Sequence, residues 1–191
     1  MKVVAFNGSA RKEGNTFILL NVVLDELKNE GIETELISLA GEPIQGCIAC
    51  YQCTKNKNRR CAVEKDILND CIAKMVEADG ILLGSPTYFS DVSAGMRALI
   101  ERSGFVARAN DYMLKRKVGA GVIAVRRAGA IPGFSSINLF LSYNQMIIPG
   151  SSYWNIGIGR DPGDVQKDAE GIQTMKTLGQ NMAWLLKKLR A

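Results

Sequence analysis

The sequence predicts a doubly wound α/β domain built on a parallel sheet. Strand-like and helix-like segments alternate from end to end with short connections, and most strand-like runs are nearly continuous in apolar residues, as strands buried on both faces are. Size agrees with this. The 191 residues, 47% hydrophobic and 23% charged, suit a single domain over 1–191 with one sizeable core, and no linker, repeat or low-complexity tract interrupts them.

The first strand is read over Val3 to Gly8. A helix follows, because Leu20, Val23, Leu24 and Leu27 recur at helical spacing; Asn15 or Thr16 offers its N-cap and Gly31 its stop. Thr34 to Leu39 forms the second strand. The irregular stretch Gly41 to Lys65, a cysteine-rich loop between the second strand and the next helix, is longer than an ordinary connection and holds four of the five cysteines. A helix at about Asp66 to Ala78 leads to the third strand, Gly80 to Ser85, and a helix over Val92 to Phe105 leads to the fourth, Val118 to Val125. Ser135 to Tyr143 gives another helix and Met146 to Gly150 the fifth strand, before a last helix with Ile172, Met175, Met182, Leu185 and Leu189 on one stripe. In a sheet ordered 2-1-3-4-5, ligands bind outside the carboxyl ends of the strands at the switch point, so function is expected in the loops after strands one, three and four.

Composition removes whole classes of chemistry. With no histidine, the Ser-His-Asp triad, the Cys-His dyad and His-ligated zinc hydrolysis are excluded. The formal charge of +5 comes from bunched cations at Arg11 and Lys12, Lys55 to Arg60, Lys115 to Lys117, Arg126 and Arg127, and Lys187 to Arg190. The last group suits a helix C-terminus, and without a recognised module signature the charge does not point to nucleic acid. No apolar run approaches membrane-spanning length and the N-terminus reads as a strand rather than a signal peptide, so a cytoplasmic protein with no membrane partner is expected.

Gly8 to Thr16 joins a strand to a helix start with hydroxyls, an amide, a guanidinium and free backbone N–H groups, which makes an anion site. It is not a Walker A loop, since five residues separate Gly8 from Gly14 and Asn15 stands where lysine is needed. It is not a G-x-G-x-x-G turn either, and Gly119-Ala120-Gly121 lies inside a strand. After the third strand, Pro86, Thr87, Tyr88 and Phe89 offer a rigid proline and two aromatics at the same edge, where they line a flat ring or pack as core under the next helix. Cys47-x2-Cys50-x2-Cys53, then seven residues and Cys61, is a spacing that lets four thiolates wrap a 4Fe-4S cluster. Zinc and redox-active thiols are the alternatives, while a disulfide framework does not suit a reduced compartment. Cys71 falls in a helix and reads as a small core residue.

Gly8-Ser9-Ala10-Arg11 through Asn15-Thr16, Ser85-Pro86-Thr87-Tyr88-Phe89, and Ser93-Ala94-Gly95 through Ile100-Glu101-Arg102 together resemble the NADPH-dependent FMN reductase family of flavodoxin-like proteins. With the cysteine run added, the chain is most similar to the iron-sulfur flavoproteins of anaerobic archaea and bacteria. The resemblance implies that Ser9, Arg11, Asn15 and Thr16 hold an FMN phosphate and that Pro86, Thr87, Tyr88 and Phe89 line the ribityl chain and ring. It implies that Ala128 and Gly129, after strand four, approach the flavin, and that Cys47, Cys50, Cys53 and Cys61 bind the cluster. An FMN-dependent electron-transfer oxidoreductase follows, with no catalytic side-chain acid or base, a ferredoxin-like carrier steered by Lys55, Lys57, Arg59 and Arg60, and a homodimer or homotetramer. Arg126 or Arg127 would stabilise a reduced flavin or recruit the phosphate of NAD(P)H. Two other readings stand beside it: an NAD(P)H-dependent FMN or quinone reductase without iron, and a flavin-binding regulatory module that senses through thiols or zinc.

Overall fold

Five parallel strands form one sheet in the order β2-β1-β3-β4-β5. They are β1 Lys2–Asn7, β2 Glu33–Ser38, β3 Gly80–Pro86, β4 Val118–Val125 and β5 Ile156–Ile158 in the computed structural model, which describes residues 1–190. The helices are α1 Asn15–Asn29, α2 Gln52–Asn56, α3 Leu68–Glu77, α4 Ala94–Ala109, α5 Ala130–Tyr143 and α6 Ala169–Arg190, with a 3-10 turn at Asp164–Lys167. The strands β1, β3 and β4 are buried almost throughout, which explains why their sequences lack alternation.

Each face of the sheet is covered by its own helices. Leu19, Leu20, Val23 and Leu27 of α1 and Leu178, Met182 and Leu186 of α6 pack with Val3, Ala5, Leu82 and Val122. On the other face Ile72 and Met75 of α3, Leu99 and Val106 of α4, and Ile137 and Leu141 of α5 pack with Val4, Phe6, Ile81, Leu83 and Ile123. Alternate residues of one strand thus serve opposite cores. Lys117, just before β4, donates to the carbonyls of Val76 (2.8 Å), in the last turn of α3, and Ala78, its C-cap. Its burial lowers its pKa, and the terminal helix carbonyls suit its charge.

Three expectations need correction. The fifth strand is not Met146–Gly150. Ile147 makes only an isolated bridge to Val118, donating to Lys117 and accepting from Gly119, both at 2.9 Å. Pro149 supplies no donor to continue it, and the chain rejoins β4 at Ile156–Ile158 beside Ile123–Val125. The N-cap of α1 is Gly14 rather than Asn15 or Thr16 and has no side-chain cap bond. Helix α5 begins at Ala130, earlier than Ser135, because Pro132 falls in the first turn, where its missing N–H costs nothing. No helix among the described residues is long and apolar enough to cross a membrane.

Candidate functional site

The first loop is held in a tight curl by its own polar groups. Asn7 is buried: its Oδ1 accepts from Ser9 N (3.1 Å) and its amide donates to the Lys12 carbonyl (3.1 Å). Ser9 Oγ accepts from Arg11 N at 3.1 Å, which leaves its hydroxyl hydrogen free to donate to a ligand. Thr16 is buried in the first turn of α1, whose leading N–H groups have no side-chain cap, and Arg11 is exposed beside them. An anion is the natural partner for such groups. Asn15 is placed differently: it clamps the distant chain, donating to Asp161 O (3.0 Å) and accepting from Gly163 N (3.0 Å). Its side chain is committed to that clamp.

The third loop is bolted to the first. Gly8 N donates to Gly84 O at 2.8 Å, Ser93 Oγ donates to Gly8 O at 2.6 Å, and Ser85 Oγ accepts from Ser93 N at 2.9 Å. Beyond Pro86 and Thr87 the chain makes a reciprocal pair of bonds between Tyr88 and Asp91, at 2.9 and 3.1 Å. The two residues between, Phe89 and Ser90, both take positive φ (48° and 61°), as a type I′ turn requires. Glycine and asparagine dominate such turns, so a phenylalanine there stores strain. Phe89 is fully exposed and Tyr88 about half exposed. Packing under the helix is therefore overturned for both aromatics; they stand at the open edge of the sheet. Gly129 brings the fourth loop against this turn: at φ +84°, a Cβ on it would lie 2.6 Å from Ser90 Oγ. Thr87 Oγ1 is buried without a hydrogen-bond partner. Such an orphan beside an exposed aromatic fits a ligand with a flat ring and a polar chain.

The cysteine loop makes the second part of the site. Cys47, Cys50, Cys53 and Cys61 all line one small pocket, walled by Ile48, Tyr51, Phe105 and Val106. Ala49, Tyr51, Lys57 and Arg59 all take positive φ, between 48° and 60°, and so wrap the chain tightly around it. Ala49 N donates to Cys47 Sγ at 3.4 Å. No group of three His, Cys, Asp or Glu side chains among the described residues is gathered closely enough to hold a single metal ion. Four thiols are soft donors, of the kind that zinc and iron-sulfur clusters take. The basic stretch before Cys61 turns outward through α2, and Arg59 N bonds Asn110 Oδ1 at 2.9 Å. Cys61 itself is clamped from α3, donating its N–H to Asn69 Oδ1 (2.8 Å) and accepting from Asn69 Nδ2 (3.0 Å).

Arg102 is the residue whose part the sequence reading missed. It is about 1% exposed, in the middle of α4, and pairs with Asp66. Burial acts to raise the Asp66 carboxyl, but hydrogen bonds from Arg102 and from the N–H groups of Leu68 and Gln45 outweigh it and hold the pKa below the usual range. The same helical stripe carries Leu99, Ser103 and Val106, all buried, so a cation at the third position after Leu99 was the available signal. Cys71 behaves as expected, buried in α3 with its thiol pushed up to about 12 by burial and by Asp70 and Asp66. It stays protonated and inert.

Residues 1–161 match the profile of the NADPH-dependent FMN reductase family. Over 197 residues, and the full length of both proteins, the chain is 37% identical to an iron-sulfur flavoprotein of Methanocaldococcus jannaschii. A second iron-sulfur flavoprotein, from Archaeoglobus fulgidus, is 34% identical over 195 residues, covering 95% of this chain and 94% of that one. The chain therefore belongs to the NADPH-dependent FMN reductase family and, within it, to the iron-sulfur flavoproteins. As such it is a flavin-dependent oxidoreductase that uses FMN. Among solved structures, RosB, which holds 8-demethyl-8-formylriboflavin-5'-phosphate, shares the fold at TM-score 0.76 and 18% identity, over 100% of this chain and 80% of that one. A flavodoxin from the domain Archaea does so at TM-score 0.63 and 18% identity, over 98% and 99%. The fold is flavodoxin-like.

Proposed function

We propose that the chain is an electron-transfer flavoprotein that passes electrons between a ferredoxin-like one-electron carrier and FMN through a 4Fe-4S cluster on Cys47, Cys50, Cys53 and Cys61. The observation that carries this reading is the convergence of all four thiols, drawn from fifteen residues, on one apolar-walled pocket. FMN exchanges electrons in ones or twos and a cluster only in ones, so together they connect carriers of the two kinds. The chain's own groups bind and orient. Ser9, Arg11 and Thr16 meet the phosphate with the N–H groups of α1; Pro86, Thr87, Tyr88 and Phe89 take the ribityl chain and ring; Ala128 and Gly129 close the third side. Asn15 serves this site at one remove, by fixing the loop. Arg126 and Arg127 stand exposed beyond β4, where a reduced flavin or the phosphate of NAD(P)H would meet them. No side chain needs to move a proton.

The cysteine pocket and the flavin edge share helix α4. Arg102, in the pocket wall, stands nine positions after Ser93, beside the flavin edge, a rise of about 14 Å at 1.5 Å per residue. A homodimer or homotetramer would offer a shorter route between subunits, and the exposed Phe105, Leu139 and Tyr143 line a groove between α4 and α5 that suits self-association. Lys55, Lys57, Arg59 and Arg60 are all exposed on the cysteine loop, where they would steer an acidic carrier.

The test is flavin reduction under anaerobic conditions with reduced ferredoxin or NADPH as donor, across a range of salt. The reading predicts reduction by ferredoxin at a rate that falls steeply with ionic strength. Iron-free protein reduced by NADPH but not by ferredoxin would instead make it an NAD(P)H-dependent FMN or quinone reductase.

A further inference from the structure

Of the four cysteines that line the pocket, one is treated differently by the rest of the chain. Arg102 donates to Cys61 Sγ from both Nε and Nη2, each at 3.4 Å. The other donors of the same guanidinium are committed: Nη2 also reaches Val63 O at 2.9 Å, and Nη1 reaches Gln45 O at 3.2 Å and the Asp66 carboxylate. The fork is therefore fixed on every side, with its plane set against the sulfur. Among the described residues no charged side chain donates to Cys47, Cys50 or Cys53. Cys47 Sγ accepts only the neutral Ala49 N–H. The carbonyls of Gln45 and Val63 belong to the segments leading to Cys47 and following Cys61, so one buried cation ties both ends of the cysteine loop to α4.

We propose that Arg102 is a positioning residue for the fourth cysteine. It fixes the Cys61 sulfur in the pocket and, by its two hydrogen bonds to that sulfur, raises the reduction potential of the cluster held there. The proposal rests on the cluster reading above. Its physical basis is general: hydrogen bonds to ligand sulfurs and local charge are the protein's levers on cluster potential, and a cation stabilises the more negative, reduced form. The same bonds hold Cys61 in place across the seven residues that separate it from Cys53.

The experiment compares the wild-type chain with Arg102→Lys and with the double variant Arg102→Met, Asp66→Asn, all reconstituted with iron and sulfide in the absence of oxygen. The double variant removes both buried charges, so that neither is left alone and the fold is kept. Iron per chain, the electron-paramagnetic resonance spectrum and the cluster midpoint potential are read, with circular dichroism to check folding. The double variant is expected to show either loss of one iron in four, with the spectrum of a three-iron cluster, or a cluster at least tenfold less reduced at a fixed ambient potential, which is about 59 mV for one electron. Lysine is expected to restore part of the potential. A folded double variant with wild-type iron content and wild-type potential overturns the proposal and leaves the cluster reading intact. A wild-type chain that takes up no iron overturns the cluster reading, and the role of Arg102 with it.

Discussion

Phe89 holds a position that neither its backbone nor its side chain favours. Its backbone and that of Ser90 lie in the left-handed region, and its ring is out in solvent, so neither propensity nor burial favours it there. Asn, which tolerates this conformation through its short side chain, is expected to relieve the turn. The variant Phe89→Asn should gain about 1 kcal/mol in urea denaturation, while its FMN dissociation constant rises roughly threefold to tenfold through loss of aromatic contact worth about 0.5–1.5 kcal/mol. Tighter FMN binding would remove the residue from the flavin edge. Residues of this kind were legible in part. The types at Ser9, Thr87, Tyr88 and Phe89 pointed to a ring and a phosphate, but the conformation that exposes Phe89 depends on the Tyr88–Asp91 pairing and is invisible in the order of residues. Arg102 was harder still, since a cation on a helix reads by default as solvated surface; its buried state follows from Asp66 and Cys61, which are distant in sequence.

Elements were legible where periodicity and length agreed. Helix α1 and the strands β1, β3 and β4 could be read because their apolar patterns are long and each meets a full core face. The fifth strand could not. Met146–Gly150 has the composition of a strand but loses its ladder at Pro149, and the segment that does pair, Ile156–Ile158, is three residues long and interrupted by Gly157. Only the tertiary partner, Ile123–Val125, distinguishes them. Close packing of elements carries its own prediction. At Gly179 a Cβ would lie 2.6 Å from Glu26 Cβ and 2.8 Å from the Val23 carbonyl of α1. The backbone cannot give way as a flexible side chain does, so Gly179→Ala is expected to separate α6 from α1 and cost about 1–3 kcal/mol. Denaturation with unchanged or increased stability would mean that the two helices are not held this closely.

For the whole molecule, acid stability follows from three carboxylates in the connections around α3 and β3. Asp66, Asp79 and Asp91 are each pulled up by burial and more than compensated by donors: Arg102 for Asp66, the Lys2 N–H and Arg190 for Asp79, the Val92 N–H, Ser136 and Arg97 for Asp91. Their folded pKa values lie below the ordinary one, so the unfolded chain binds protons first as pH falls. The stability they supply is fully present above about pH 4 and is lost as pH drops through their lower folded values. Urea denaturation from pH 6 to pH 2 should show this decline, and Asp66→Asn, which has no carboxylate to protonate there, should show a shallower one. An equal slope in both proteins would mean that the buried Arg102–Asp66 pair contributes nothing to acid sensitivity.

On the function proposed above, one chain holds a flavin on its sheet edge and a cluster in its cysteine pocket. The most direct test is iron, acid-labile sulfide and flavin content, with an absorption spectrum, on protein purified and reconstituted without oxygen. About four irons and four sulfides per chain are expected, with one bound FMN. FMN without iron after reconstitution would rule the cluster out and leave a flavin reductase whose cysteines serve another purpose.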